Sequence, residues 1–190
     1  MYWAKPDETY EEHINNCYEI WRKLIQHNEK HLIGFAESYG ISYKLFREKS
    51  LLAVLFHDIG KLTDVFQENM LKIRSGNRPD YRKNFRHEIL SAIFLLMTWG
   101  QRKQLGIDRE FPFEVFAVIG HHKSIDPNWT SFHRELQLES WPKLNREKIL
   151  YALDTAQQIL TTEGIQIRLI DKFYDIQWNS SFLSKLRDMV

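Results

Sequence analysis

Two apolar segments that each end in a pair of ionisable residues constrain the fold of this chain more than any other feature. The run 51–56 leads into His57-Asp58, and the run 115–119 leads, after one glycine, into His121-His122. An unpaired imidazole or carboxylate that enters a dry interior costs several kcal/mol unless it is hydrogen-bonded or bound to a metal. We therefore expect the two apolar helices to end at one shared polar pocket.

The spacing of apolar residues predicts an all-α fold. Only five prolines and eight glycines interrupt 190 residues, and apolar residues recur at helical intervals. A capping-box pattern at 9–12 predicts the start of the first helix, which runs to a stop at 38–40. Further helices are predicted at roughly 43–57, 64–72, 85–104, 113–122 and 145–160, with one or two more in the last twenty-five residues. The buried stripe predicted for the first helix consists of Tyr10, Ile14, Cys17, Trp21 and Leu24.

Composition favours a single globular domain over 1–190. Hydrophobic residues make up 43% and charged residues 27%, and there is no repeat or low-complexity linker. No apolar run approaches the length needed to span a bilayer, and the first residues lack signal-peptide order, so no membrane partner is expected. Cys17 is the only cysteine and cannot form an internal disulfide, which favours a reducing, cytoplasmic location.

Seven candidate ligands lie at or near the inner faces or ends of predicted helices. Taken singly, each has an ordinary explanation, since a lone histidine beside an apolar stripe is usually a hydrogen-bonded core residue. A His-His pair can also simply complement the negative end of a helix dipole. Together, however, five histidines and two aspartates predict a metal site: His13, His57, Asp58, His87, His121, His122 and Asp154.

The mixture of imidazoles and carboxylates indicates which metals to expect. It suits divalent transition ions such as Mn, Fe, Co or Ni better than Mg, which prefers oxygen ligands, or a structural Zn, which usually takes Cys. An aspartate has two oxygens and could bridge two ions about 3.5–4 Å apart, a spacing that supports water attack on a phosphodiester. Lys61, just beyond Asp58, could place a positive charge on a phosphoryl oxygen.

A basic stretch precedes His87. Between residues 71 and 86 there are six basic residues and one acid, Asp80. Such a stretch is most often a solvated face, but beside a phosphodiesterase site it could follow a nucleic-acid backbone. We assign that role to Arg82, Lys83 and Arg86.

The order of these motifs resembles the HD phosphohydrolase superfamily. More narrowly, it is similar to the HD nuclease domain of the CRISPR-associated interference nuclease-helicase. That family's run HDxGK…FQ is matched by His57, Asp58, Gly60, Lys61, Phe66 and Gln67, and its HExxSA by residues 87–92. The resemblance covers about residues 10–158, most of the chain.

The resemblance implies an all-helical HD bundle around a central two-metal site that cuts single-stranded DNA. Its implied partners are a helicase and the CRISPR surveillance complex, and no helicase motif occurs in these residues, so the helicase would be a separate chain or a further part of a longer one. One ion would be held by His13, His57, Asp58 and Asp154, and the other by Asp58, His87, His121 and His122.

The chain departs from the family pattern at two places. Lys123 stands where the family has Gly after the His-His pair, and the last motif ADxxxS is reduced to Leu153-Asp154-Thr155 without the matching Ser. Asp171 is therefore a reserve candidate for the final carboxylate. His27 and His31 lie four residues apart, which is a metal-ligand spacing, but their polar neighbours indicate a solvated face, and His133 lies in a polar loop.

Two other functions stay open from the sequence. The first is an HD-type phosphohydrolase of a small nucleotide or cyclic dinucleotide, although Lys123-Ser124-Ile125 stands where cyclic-dinucleotide enzymes carry Gly-Tyr-Pro. The second is a non-catalytic binding module with a vestigial site, against which the complete ligand set argues.

Overall fold

The structure is a computed structural model that describes residues 1–80, 86–104, 106, 110–122 and 142–165. Within them, six α-helices and one short 3-10 turn carry nearly all of the regular structure. The predicted all-α class is confirmed. The predicted helices of the last twenty-five residues lie outside the described part of the chain.

The first helix, α1 (Tyr10–Ser38), begins where the capping box predicts. The Glu12 amide donates to the Thr9 side chain, and the Glu12 carboxylate accepts from the Thr9 amide. A two-stranded antiparallel hairpin, β1 (Trp3–Lys5) and β2 (Glu8–Thr9), leads into it, an element that the helical pattern did not predict. The prediction that Leu24 is buried is wrong, since it is 57% exposed; Ile25 is buried instead.

The second helix, α2 (Tyr43–Phe56), packs against α1 and ends at His57. The 3-10 turn Ile59–Leu62 follows and is wholly buried, and α3 (Asp64–Arg74) continues from it. Because α2 ends inside the core, the polar pair His57-Asp58 enters the interior, as the apolar run before it predicts. Asp58 is 1% exposed.

Gly60 lets the 3-10 turn contact the start of α4 (His87–Gln104). A Cβ atom at position 60 would lie 2.1 Å from the His87 carbonyl oxygen, so only glycine fits. The Gly60 amide donates to Ser91 Oγ at 3.0 Å, and Ser91 Oγ donates to the His87 carbonyl at 3.1 Å. These contacts place Asp58 beside His87.

Two more helices complete the described architecture. Helix α5 (Phe113–Gly120) packs on α4 and delivers His121 and His122 at its end. Helix α6 (Arg146–Thr162) begins where Asn145 accepts a hydrogen bond from the Lys148 amide, as the sequence predicts. The core draws on every described helix except α3, with large fully buried side chains such as Tyr10, Phe56 and Phe94.

No helix among the described residues is both long and apolar enough to cross a membrane.

Candidate metal centre

Asp58 lies at the middle of a cluster of histidines, and its two carboxylate oxygens face different rings. Oδ2 lies 2.9 Å from His13 Nε2 and 3.3 Å from His57 Nε2. Oδ1 lies 2.9 Å from His87 Nε2 and 3.7 Å from His121 Nε2. We call these the Oδ2 side and the Oδ1 side of the centre.

On each side, two imidazole nitrogens also lie close to each other. His13 Nε2 and His57 Nε2 are 3.3 Å apart on the Oδ2 side. On the Oδ1 side, His122 Nε2 lies 3.2 Å from His87 Nε2, and ligand atoms of Asp58, His87, His121 and His122 all lie within 4.8 Å of one another. Four elements of the fold contribute these side chains: α1, the end of α2, the start of α4 and the end of α5.

The other nitrogen of three of these rings is held by an acceptor. His57 Nδ1 lies 2.8 Å from the Val54 carbonyl, and His121 Nδ1 lies 2.6 Å from the Val118 carbonyl. His13 Nδ1 lies 3.0 Å from a carboxylate oxygen of Glu8. An acceptor at Nδ1 keeps the proton on that nitrogen, so the Nε2 lone pair of a neutral ring points inward, as in most histidine metal sites.

His13 Nε2 and His57 Nε2 both face the Asp58 carboxylate, so the charged form of either ring is favoured in the metal-free protein. Contact with the Asp58 carboxylate raises the pKa of His13 to about 9. Burial alone would lower the pKa of His57, but its contact with Asp58 outweighs this and raises that pKa to about 10. Burial would likewise raise the pKa of Asp58, yet the surrounding imidazoles hold it far below its usual range.

The donor set fits divalent transition-metal ions. Neutral imidazoles and a carboxylate are the ligands that such ions prefer. Asp58 Oδ1 is buried and accepts no hydrogen bond within the described residues, although His87 Nε2 is only 2.9 Å away. Close atoms without hydrogen-bond geometry are expected of two ligands that converge on one ion.

Lys61 reaches the same carboxylate. Its Nζ lies 2.7 Å from Asp58 Oδ2, and the side chain is 10% exposed. The ammonium also lies 5.8 Å from the ring centre of Phe66, which in turn lies 5.9 Å from the His87 ring. Lys61 therefore contacts the carboxylate of Asp58 directly and neutralises part of that carboxylate's negative charge. The position of Lys61 in the sequence does not by itself indicate so close a contact.

Asp154 is in neither cluster that the described residues form. It is exposed on α6, one turn beyond Tyr151. Asp154 stays a predicted ligand, and the reserve candidate Asp171 lies outside the described residues.

The predicted nucleic-acid contacts lie mainly outside the structure. Arg82 and Lys83 are not among the described residues. Arg86 is described, and its Nε lies 2.6 Å from Glu88 Oε1 with a side chain that is 10% exposed. Its Nη2 also donates to the Ile119 carbonyl at 3.5 Å, so Arg86 links the start of α4 to the end of α5. The structure therefore gives Arg86 a packing role beside any contact with a strand.

His27 and His31 are exposed on α1, as predicted for a solvated face, and His133 lies outside the described residues.

Sequence reasoning missed two residues that touch the centre. Glu8 holds His13 and is itself held by Lys5 at 2.6 Å and by Asn16 at 2.8 Å. Burial opposes the charge on Glu8, but these three partners lower its pKa to about 2. Cys17 lies one turn after His13 and was predicted only as a packing residue. The i, i+4 spacing of His13 and Cys17 could have shown that they share a helix face.

The comparisons with known proteins agree with this geometry. A family model described as "Cas3, HD domain" matches residues 3–177. The CRISPR-associated endonuclease Cas3-HD of Thermoproteus tenax is 29% identical over 115 residues, which are 60% of this chain and 39% of that protein. The chain thus spans about two fifths of the length of that curated relative.

A solved structure supports the same fold. The CRISPR-associated Cas3 HD domain protein of Methanocaldococcus jannaschii superposes with a TM-score of 0.54 at 18% sequence identity. The match covers 98% of this chain and 85% of that one.

A helical bundle whose buried His-Asp pair collects histidines from separate helices defines an HD-domain protein. The matched family model covers most of the sequence from the hairpin onward. The chain belongs to the Cas3 HD-domain family, as its resemblance in sequence predicts.

Proposed function

We propose that this chain is a metal-dependent phosphodiesterase of CRISPR interference that cuts single-stranded DNA. The main observation behind the proposal is that the two oxygens of the Asp58 carboxylate face different pairs of histidines. Oδ2 faces His13 and His57, while Oδ1 faces His87 and His121. A carboxylate with one oxygen on each side of the centre is suited to bridge two divalent ions.

Bound on the two sides, such ions would activate water and neutralise the charge that develops on a phosphodiester. The protein's part is to hold the ligands in place. Backbone carbonyls fix the His57 and His121 rings, and the Gly60–Ser91 contact fixes the turn that carries Asp58. Lys61, whose ammonium contacts Asp58 Oδ2 in the metal-free protein, would stabilise an anionic phosphoryl oxygen of the substrate.

Asp154 would complete the Oδ2 side. Helices α1 and α6 run in the same direction, because Tyr10 packs near Tyr151 while Tyr18 donates to Glu163 at 2.5 Å. The turn that carries Asp154 is therefore level with the turn of α1 that carries His13. Asp154 itself is exposed and outside the cluster of His13 and His57, so its side chain would turn inward to reach an ion there.

The substrate would enter at the Oδ1 side. Asp58 is buried, whereas His121 and His122 at the end of α5 are exposed. A flexible single strand can bring a phosphate to such a recessed centre more easily than a stiff duplex can. The basic residues that precede His87 in the sequence, with Arg82 and Lys83 among them, would follow the strand.

The proposed partners are a helicase, on a separate chain or in a further part of this one, and the CRISPR surveillance complex. Family membership and the name of the Thermoproteus tenax relative support this setting. The location that fits it is the cytoplasm.

The deciding experiment is cleavage of circular single-stranded DNA by the metal-stripped protein after addition of Mn, Co, Ni or Mg. We expect cutting with the transition metals, less with Mg, and little cutting of blunt duplex. Asp58→Ala should abolish cutting and lower metal content, whereas Lys61→Ala should keep the metals and cut more slowly. His27→Ala, on the solvated face of α1, is the matched control and should behave as wild type.

The same assay separates the rival functions. Turnover of a cyclic dinucleotide or a deoxynucleotide, with no cutting of DNA under any metal, would favour a small-nucleotide phosphohydrolase. A folded protein that binds no metal and hydrolyses nothing would favour the non-catalytic module. Charge reversal at Arg82 and Lys83 should raise the DNA concentration required and leave hydrolysis of bis-nitrophenyl phosphate nearly unchanged.

A further inference from the structure

Cys17 lies against the Oδ2 side of the centre. Its Sγ is 3.8 Å from His13 Nε2. Ligand atoms of His13, Cys17 and His57 all lie within 4.8 Å of one another, and the Cys17 side chain is only half-buried. Since His13 and Cys17 are four residues apart on α1, both project from one face of the helix.

The spacing of these atoms is that of ligands around one ion. A tetrahedral ion with nitrogen at about 2.0–2.1 Å and sulfur at about 2.3 Å separates neighbouring ligand atoms by about 3.3–3.6 Å. The observed separations are 3.3 Å between the two histidine nitrogens and 3.8 Å between Sγ and His13 Nε2. Asp58 Oδ2 is 2.9 Å from His13 Nε2 and supplies a further donor.

Asp58 gives independent evidence that this pocket is built for a cation. Its side chain is only 2% exposed, and Oδ2 faces this pocket, 2.9 Å from His13 Nε2 and 3.3 Å from His57 Nε2. A buried carboxylate oxygen that converges with two imidazole nitrogens is the kind of donor set that binds a transition-metal ion. Cys17 is thus part of a preformed donor set and not an isolated thiol.

We propose that the Cys17 thiolate is a ligand of the ion on the Oδ2 side, together with His13, His57 and Asp58, so that Asp154 would be a fifth ligand of this ion. This inference rests on the metal centre of the proposed function. On binding, the thiol gives its proton to solvent as the sulfur–metal bond forms.

The consequence is a centre with two unlike sides. Thiolate is a soft ligand and favours Fe, Co or Zn over Mn and Mg on the Oδ2 side. Among the described residues, the Oδ1 side offers nitrogen and oxygen ligands, from His87, His121, His122 and Asp58, and these suit harder ions. The two ions of a loaded protein would then differ in identity or in affinity.

Absorption of the full chain loaded with Co(II) tests this directly. Cys17 is the only cysteine, so a sulfur-to-cobalt charge-transfer band in the near ultraviolet can come from no other residue of the chain. We expect that band in wild type and its loss in Cys17→Ser, which should keep the weaker visible bands of cobalt bound to nitrogen and oxygen. Co(II) and Zn(II) should bind the Oδ2 side about tenfold or more weakly in that variant, with Mn(II) affinity nearly unchanged.

Control variants make the result decisive. His27→Ala on the exposed face of α1 should keep the charge-transfer band, and Cys17→Ala should lose it as Cys17→Ser does. Visible cobalt bands in wild type without the charge-transfer band would overturn the Cys17 assignment and leave the proposed centre standing. Failure of wild type to bind cobalt, zinc or manganese at all would overturn both.

Discussion

Replacing Gly60 with alanine tests whether the contact between the 3-10 turn and α4 positions the metal centre. The added Cβ would lie 2.1 Å from the His87 carbonyl oxygen and 2.9 Å from its carbonyl carbon, whereas ordinary contact begins near 3.4 Å. Because both neighbours are backbone atoms, the turn and the helix must separate by more than about 1 Å. The turn follows Asp58 and the helix begins with His87, so their separation moves these two ligands away from each other.

The expected loss of stability follows from the overpacking. Forcing an extra carbon into a packed interior costs about 1–3 kcal/mol. The displacement also weakens the hydrogen bond from the Gly60 amide to Ser91, which adds about 1 kcal/mol. For a chain of this size each kcal/mol lowers Tm by about 2–4 °C, so Gly60→Ala should lower Tm by about 4–16 °C.

Thermal unfolding of the metal-stripped protein measures the stability, and a Co(II) titration of the folded variant measures the centre. Gly34→Ala in α1 and Gly100→Ala in α4 are matched controls, since a Cβ at either position meets nothing within 4 Å. Both should leave metal binding unchanged and raise stability by up to about 1 kcal/mol, because alanine favours helix over glycine. If the Gly60→Ala variant has the same Tm and the same cobalt affinity as these controls, the contact does not position Asp58.

Three further changes test neighbouring parts of the account. Glu8→Gln removes the charge that holds the His13 ring and should weaken binding on the Oδ2 side about 10–100-fold in a metal titration; unaltered affinity would remove Glu8 from the centre. The raised pKa values of His13 (about 9) and His57 (about 10) stabilise the metal-free fold fully below the ordinary imidazole pKa of 6.5, so Tm should fall progressively between pH 6.5 and about 10; a flat profile over this range would contradict the contacts with Asp58. Thr9→Ala removes the cap of α1 and should lower the free energy of unfolding by about 1 kcal/mol in a denaturant titration; no loss would mean that the capping box does not stabilise the helix.

Much of the fold could be predicted because its signals are local. The capping box at Thr9, the cap at Asn145 and the apolar run before His57 each fix a helix end through neighbouring residues. The hairpin before α1 carries no comparable signal, since its strands are only three and two residues long. The first strand is also held by Gln67 of α3, whose side chain accepts a hydrogen bond from the amide of Trp3 and donates one to its carbonyl.

The ligand set was also predictable in part. A polar pair that follows an apolar run must enter the interior, and this rule alone identifies His57-Asp58 and His121-His122 as candidates. Residues that reach the site from another helix or strand leave no comparable pattern in the sequence. Glu8 meets His13 through the hairpin, and Arg86 pairs with Glu88 instead of staying exposed, because the packing of α4 on α5 encloses it.

The central claim is that Asp58 bridges two ions, and anomalous diffraction from crystals of the cobalt-loaded protein tests it most directly. We predict two peaks about 3.5–4 Å apart. One should lie on the Oδ2 side near His13 and His57, and the other on the Oδ1 side near His87 and His121. A single peak, or two peaks that both lie away from the Asp58 carboxylate, would contradict the account.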